Sequence, residues 1–90
     1  MVTTWTERNS DHGPVLVREL RFRDFAEAID FVERVADAAV DYERRPDMCI
    51  SAYNHVTLMV GNLHHGPITA AEQRLAAKVD AIVEDRFPHA

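Results

Sequence analysis

Two adjacent arginines stand where a long helical pattern ends, and they are the residues best suited to charge chemistry in this sequence. Arg44 and Arg45 precede Pro46 and Asp47. A guanidinium group matches a carboxylate or a phosphate with two parallel hydrogen bonds, so the pair could form an anion clamp. The alternative is structural, because the helix dipole favours cations at a helix C-terminus. Neither arginine can be a general acid or base, since the guanidinium keeps its proton at physiological pH.

The histidines fall in a loop and on a strand face. His64 and His65 lie between a strand pattern and a helix pattern. They could be metal ligands, but adjacent histidines project in different directions and no third ligand is near in sequence. We therefore predict no metal site and expect solvated loop histidines. His55 shares with Thr57 and Met59 a strand face turned away from the apolar stripe, so that face is either simply exposed or a recognition surface.

Composition limits the classes of protein that this sequence can belong to. With 90 residues we predict one domain, residues 1–90, that buries about 60–65% of its extended surface and gains stability from oligomerisation. The net charge of -5 argues against nucleic-acid binding, which needs a basic face. The single Cys49 excludes an intramolecular disulfide and a cysteine-based zinc site. No apolar run is long enough for a membrane span and no signal peptide is recognisable, so we expect no membrane contact and a cytoplasmic location.

Hydrophobic periodicity predicts four strands and two helices. Alternation indicates strands over residues 15–22, 48–53 and 55–61, and a short threonine-rich edge strand over residues 1–8. Turn-forming residues predict loops at 9–14 and 62–67 and a tight turn at Tyr53 and Asn54. Asp24 and Thr69 are predicted N-caps, with Glu27 and Glu72 completing capping boxes. The first helix carries one apolar stripe and is stopped by Pro46, and the second frays near Phe87. The stripe of the first helix comprises Phe25, Ala28, Ile29, Val32, Ala36, Ala39 and Val40.

The order strand, strand, helix, strand, strand, helix predicts an α+β domain. We expect a four-stranded antiparallel sheet, with the first two strands forming a hairpin and both helices packed on one face. The other face is then free for a ligand or a partner.

The sequence resembles the pterin-4a-carbinolamine dehydratase family over nearly its whole length. Each motif is weak alone, but together they are fairly specific for the fold. The matching motifs are Trp5, Leu16-x-Arg18-x-Leu20-x-Phe22-x-Asp24-Phe25, then Ala28, Phe31, Val35-Ala36 and Ala39, Pro46-Asp47, Tyr53-Asn54-x-Val56-Thr57, Ile68-Thr69 and Leu75-Ala76.

The resemblance implies an activity, an assembly state and two kinds of protein partner. Enzymes of this family dehydrate 4a-hydroxytetrahydropterins to quinonoid dihydropterins without metal or cofactor, and their subunits form homodimers or homotetramers. Relatives serve as a dimerisation cofactor for a transcription factor or act in Rubisco assembly. We accordingly expect a pterin substrate if the protein is an enzyme, and a protein partner if it is not.

The family's catalytic motif is only partly present. The family uses a His-His-Pro motif, a third histidine after the last strand and an acidic residue at the following helix, and histidine suits these proton transfers because it titrates near neutral pH. Here the first motif reads Arg44-Arg45-Pro46. The third histidine aligns with Leu63, one position before His64, and a local bulge could bring His64 into place. The acidic position falls on Glu72.

Two hypotheses follow from this pattern. In the first, the protein is a carbinolamine dehydratase with His64 and Glu72 as the remaining acid-base residues. In the second, it is a catalytically silent relative that binds a protein partner, and the binding residues include Arg44, Arg45, Pro46, Asp47 and His55. The loss of both histidines of the motif favours the second hypothesis on chemical grounds.

Overall fold

The computed structural model describes residues 5–11, 13–42, 44, 46–62 and 66–90. Arg45, His64 and His65 therefore lie outside the described residues. The elements occur in the predicted order: β1 (Thr6–Ser10), β2 (Gly13–Arg21), α1 (Phe25–Asp41), β3 (Asp47–Ser51), β4 (His55–Gly61) and α2 (Ala70–Arg86).

The four strands form one antiparallel sheet in the order β1-β2-β4-β3, which confirms the predicted α+β class. The first hairpin is tighter than predicted, because Asn9 pairs with Pro14 and Ser10 with Gly13. The prediction of a loop over 9–14 is therefore wrong at both ends, and only the tip of the hairpin lies outside the strands.

Both helices cover the same face of the sheet. The apolar residues at alternate positions of β2 and β4 face the helices, with Val56, Leu58 and Val60 fully or almost fully buried. Phe22, Phe31 and Phe87 form an aromatic cluster at one end of this core, with ring centroids 4.9, 5.4 and 5.7 Å apart. The α2 helix ends at Arg86 with Phe87 as its C-cap, as predicted, and the Phe87 side chain, which is 3% exposed, packs into this core.

The helix boundaries follow the predicted caps at their N-terminal ends. Asp24 accepts a hydrogen bond from the Glu27 N–H, and Thr69 and Glu72 form the predicted capping box. The α1 helix ends at Asp41, before Pro46, and the Arg44 N–H caps it by donating to the Ala39 carbonyl five residues earlier. The helix therefore ends in a backbone cap ahead of the proline that was expected to stop it.

The apolar stripe of α1 differs from the predicted one. The side chains that enter the core are Ala28, Phe31, Val35, Ala38 and Ala39. Phe25 and Val40, which were assigned to the stripe, are 53% and 76% exposed. Among the described residues, no helix is long and apolar enough to cross a membrane.

Candidate functional site

An ion pair joins the segment between α1 and β3 to the first turn of α2. Arg44 donates from Nε to Oε2 of Glu72 at 2.8 Å, and the two residues are 28 positions apart in the chain. The Arg44 N–H also donates to the Ala39 carbonyl at 2.9 Å, which caps the end of α1. Arg44 therefore joins the C-terminus of one helix to the N-terminus of the other.

Glu72 is a buried carboxylate with both oxygens engaged. Its side chain is 1% exposed. Oε1 accepts hydrogen bonds from the backbone N–H and the hydroxyl of Thr69, each at 2.7 Å, while Oε2 accepts from Arg44. Burial alone would raise the pKa of Glu72, but the Thr69 hydroxyl, the Thr69 N–H and Arg44 together outweigh burial and hold this pKa below its usual value.

This geometry determines what the carboxylate can do. A general acid must carry a proton near neutral pH, whereas Glu72 is held as an anion. A general base at neutral pH needs a raised proton affinity, whereas the three hydrogen bonds to Glu72 stabilise its anion and lower its pKa. The arrangement is typical of a structural carboxylate at a helix N-terminus.

The remaining predicted site residues are spread over the sheet. Asp47 is exposed at the start of β3, opposite Met59, and Pro46 is half-buried just before it. His55 pairs with Ser51 at the other end of β3, about 13 Å along the strand from Asp47. Its Nε2 lies 3.6 Å from Oε1 of Glu19. His55 and Asp47 thus lie at opposite ends of β3, and the assignment of binding roles to these residues and to Arg44 stays a prediction.

A second polar cluster, which is half-buried, was not predicted from the sequence. Arg18 lies on the helix-covered face of β2 and pairs with Oδ1 of Asp80 on α2, which also accepts a hydrogen bond from the Trp5 indole at 2.8 Å. The signal was available in the sequence, since Arg18 alternates with Leu16 and Leu20 and a charge on the core face requires a partner. This cluster attaches the N-terminal edge of the sheet to α2.

No metal centre is indicated by the described residues. Within residues 5–11, 13–42, 44, 46–62 and 66–90, no group of three or more His, Cys, Asp or Glu side chains is arranged to hold a metal ion. The one cysteine, Cys49, is an exposed free thiol on β3.

Comparison with solved structures supports the fold independently of the sequence motifs. A transcriptional coactivator/pterin dehydratase from Brucella melitensis is similar at a TM-score of 0.72 and 25% identity, over 88% of this chain and 81% of the other. A pterin dehydratase-like protein described as a RuBisCO assembly factor in the alpha-carboxysome is similar at a TM-score of 0.72 and 22% identity, over 89% of each chain. The second likeness is one of fold.

Sequence relatives give the same assignment. A protein of Thermomicrobium roseum, provisionally named a pterin-4-alpha-carbinolamine dehydratase, is 40% identical over 67 residues, which are 74% of this chain and 71% of the relative. A Koribacter versatilis protein of the same name is 35% identical over 71 residues, 79% of this chain and 74% of the relative. The family model for pterin 4 alpha carbinolamine dehydratase matches residues 1–82. Together with the fold, these matches show that the chain belongs to the pterin-4-alpha-carbinolamine dehydratase family.

Proposed function

We propose that this family member acts by binding a protein partner and does not dehydrate a pterin. The observation that carries the proposal is the ion pair between Arg44 and Glu72. It joins the residue at the first position of the family's His-His-Pro motif to the residue at the family's acidic position. A permanently charged guanidinium replaces a titrating imidazole, and its charge fixes the carboxylate as an anion.

The proposal has further support from the nature of the structural neighbours. The Brucella melitensis protein is described as a transcriptional coactivator as well as a pterin dehydratase. The other neighbour is described as an assembly factor for RuBisCO. The fold therefore serves in other chains as a platform for protein partners, and a RuBisCO subunit is the first specific partner to test for this chain.

A dehydratase assay separates the proposal from its alternative. Freshly generated 4a-hydroxytetrahydropterin is mixed by stopped flow with the wild type, with His64→Ala and with a family member that carries the full His-His-Pro motif. We expect the family member to accelerate dehydration and the wild type to leave the buffer rate unchanged. Saturable acceleration by the wild type that His64→Ala abolishes would overturn the proposal.

The second candidate function is the dehydratase activity itself. It is favoured by the family match over residues 1–82. In that case His64 supplies the proton transfer, a local bulge places it, and the substrate is a 4a-hydroxytetrahydropterin handled without metal or cofactor. Glu72 then supports the first turn of α2 as an anion, because three hydrogen bonds stabilise its carboxylate.

We also propose a homodimeric or homotetrameric assembly in the cytoplasm. The sheet ends in two edge strands, β1 and β3, and an edge strand presents backbone groups that can pair with another chain. A domain of this size gains stability from such pairing. The free surface thiol of Cys49 is compatible with a reducing compartment. Sedimentation equilibrium of the wild type measures the number of subunits, and a monomer at micromolar concentration would contradict the assembly.

A further inference from the structure

A groove of about 460 Å³ separates the edge strand β1 from the α2 helix, and its volume lies within the range of ligand pockets. Trp5, Glu7 and Leu16 line the groove from the sheet. Glu7 pairs with Leu16 across β1 and β2, so both side chains leave the same, helix-covered face of the sheet. The groove shares no residue with the ion pair between Arg44 and Glu72. It is therefore separate from the family's catalytic positions.

Small side chains on α2 provide the space in the groove. Ala76 and Ala77 line it from the helix, between Gln73 and Asp80. These four positions fall within two turns on one side of α2. Two adjacent alanines leave open a volume that larger side chains would fill against the edge of the sheet. With Leu16 they form an apolar lining that can bury the hydrocarbon part of a ligand.

The charged groups that line the groove are both acidic, while Gln73 is neutral. Glu7 is exposed and has no ion pair within the residues that the structure describes. Asp80 uses Oδ1 for its contacts with Arg18 and with the Trp5 indole. Its Oδ2 has no hydrogen-bond partner in the described part of the chain, and the side chain is 38% exposed. The Arg18 charge offsets one carboxylate, so the groove keeps a net negative charge.

We propose that this groove binds a small organic monocation, an ammonium group carried on an apolar chain. The carboxylates of Glu7 and Asp80 bind the ammonium group through charge-assisted hydrogen bonds. The apolar chain covers Leu16 and the two alanines, and the Trp5 indole adds attraction because tryptophan is the aromatic side chain that attracts cations most strongly. Both carboxylates repel an anionic ligand. The site does not depend on whether the protein binds a partner or dehydrates a pterin.

Three probes of equal chain length test the charge preference: hexylammonium, hexanol and hexanoate. Trp5 is the single tryptophan, so its indole N–H gives one signal in a proton–nitrogen NMR spectrum. We expect hexylammonium to shift this signal saturably, with a dissociation constant of about 1 mM. Hexanol should bind about tenfold more weakly, because it lacks one charge-assisted hydrogen bond. Hexanoate should cause no saturable shift, and added salt should weaken hexylammonium most.

Variants at exposed positions locate the bound probe. Ala77→Leu fills the groove and should abolish the binding of hexylammonium and hexanol alike, whereas the matched change Ala26→Leu on α1 should leave both intact. Leucine is nearly as good a helix former as alanine, so both variants should fold. Glu7→Gln should weaken hexylammonium about threefold and leave hexanol unchanged. The same change in charge at Glu84→Gln, outside the groove, should affect neither probe.

The proposed site is overturned if hexylammonium causes no saturable shift, or if hexanol or hexanoate binds as tightly. It is also overturned if Ala77→Leu leaves the hexylammonium shift unchanged, because the probe then binds elsewhere. Loss of binding in Ala26→Leu would have the same meaning, since that change lies outside the groove. These results leave the proposed function standing. Saturable pterin dehydration by the wild type would instead remove the proposed function and leave the ammonium site unaffected.

Discussion

The ion pair between Arg44 and Glu72 should make a measurable contribution to stability. Removing one partner of a fully buried pair costs about 3–5 kcal/mol, whereas exposed pairs contribute about 0–1 kcal/mol. The Glu72 side chain is 1% exposed and the Arg44 side chain 23%. Water can therefore reach part of the guanidinium, and the two Thr69 donors remain on Oε1 when Arg44 is lost. We expect Arg44→Met to lower the free energy of unfolding by about 2 kcal/mol, between the two limits.

A double-mutant cycle isolates the interaction. Urea unfolding is measured for the wild type, Arg44→Met, Glu72→Gln and the double variant, and we expect a coupling of about 1.5 kcal/mol, in the range of charge-assisted hydrogen bonds. The exposed pair between Arg34 and Asp30 serves as the control, with an expected coupling of about 0.3–0.5 kcal/mol. A coupling for Arg44 and Glu72 no larger than that of the control would refute the reasoning, because the pair would then behave as a solvated contact.

The same pair predicts a pH dependence with a definite sign. The folded-state pKa of Glu72 lies below its unfolded value, so the stabilisation is fully present above the unfolded value and is lost as pH falls through the folded one. Arg44→Met removes one of the causes that lower this pKa. The stability difference between the wild type and Arg44→Met should therefore narrow below about pH 4, the ordinary range of a glutamate. A difference that stays constant down to pH 2.5 would contradict the assignment.

Three further changes test other parts of the structure. Ala52 has φ of 47°, so Ala52→Gly should raise the free energy of unfolding by about 0.5–1 kcal/mol by relieving a left-handed conformation; a loss of that size would show that the turn is not strained. Phe87→Ala should cost about 3–4 kcal/mol, whereas the exposed Phe25→Ala should cost less than about 1 kcal/mol, and equal losses would be inconsistent with the aromatic cluster. His89 Nε2 donates a hydrogen bond to Oε1 of Glu27 at 2.7 Å, and this bond is the main cause that lowers the pKa of Glu27 to about 2. His89→Ala should raise that pKa in a carboxyl NMR titration and move acid unfolding to higher pH, and an unchanged titration would exclude the contact.

The strands and helices could be predicted from the sequence because the residues that specify each of them lie close together in the chain. The capping residues Asp24 and Thr69 and the alternation in β2 and β4 each depend on a few neighbouring residues. The predicted α1 stripe was rotated from the buried one, so that it omitted Phe31, Val35 and Ala38. The sequence shows apolar residues on two sides of the helix, and only tertiary packing decides which side meets the sheet. The end of α2 near Phe87 was predicted correctly, but the burial of its ring was not, because the aromatic contacts come from Phe22 and Phe31 elsewhere in the chain.

The contacts of the candidate site were beyond local reasoning. A cation after one helix and an acid in the first turn of another can each be explained without the other, and only the folded chain brings Arg44 to Glu72. The sequence predicts that Arg18 needs a partner, because a charged residue on the apolar face of a strand must be neutralised. It does not predict that the partner is Asp80. Hydrophobic periodicity supplied the element order, and the family resemblance added the positions that correspond to the family's catalytic residues.

The hydrogen bond from Trp5 to Asp80 allows tryptophan fluorescence to report on the contact between β1 and α2. Trp5 is the single tryptophan and lies between β1 and α2, with its indole bonded to an aspartate that also holds β2 through Arg18. Its emission therefore follows the docking of the β1 edge. The aromatic cluster instead joins the end of β2, α1 and the residue after α2. The far-ultraviolet circular dichroism signal follows the secondary structure of the whole domain. If tryptophan emission and the far-ultraviolet signal change together on unfolding, the sheet unfolds as one cooperative unit. If the tryptophan signal changes first, the β1 edge opens while the rest of the sheet is still folded.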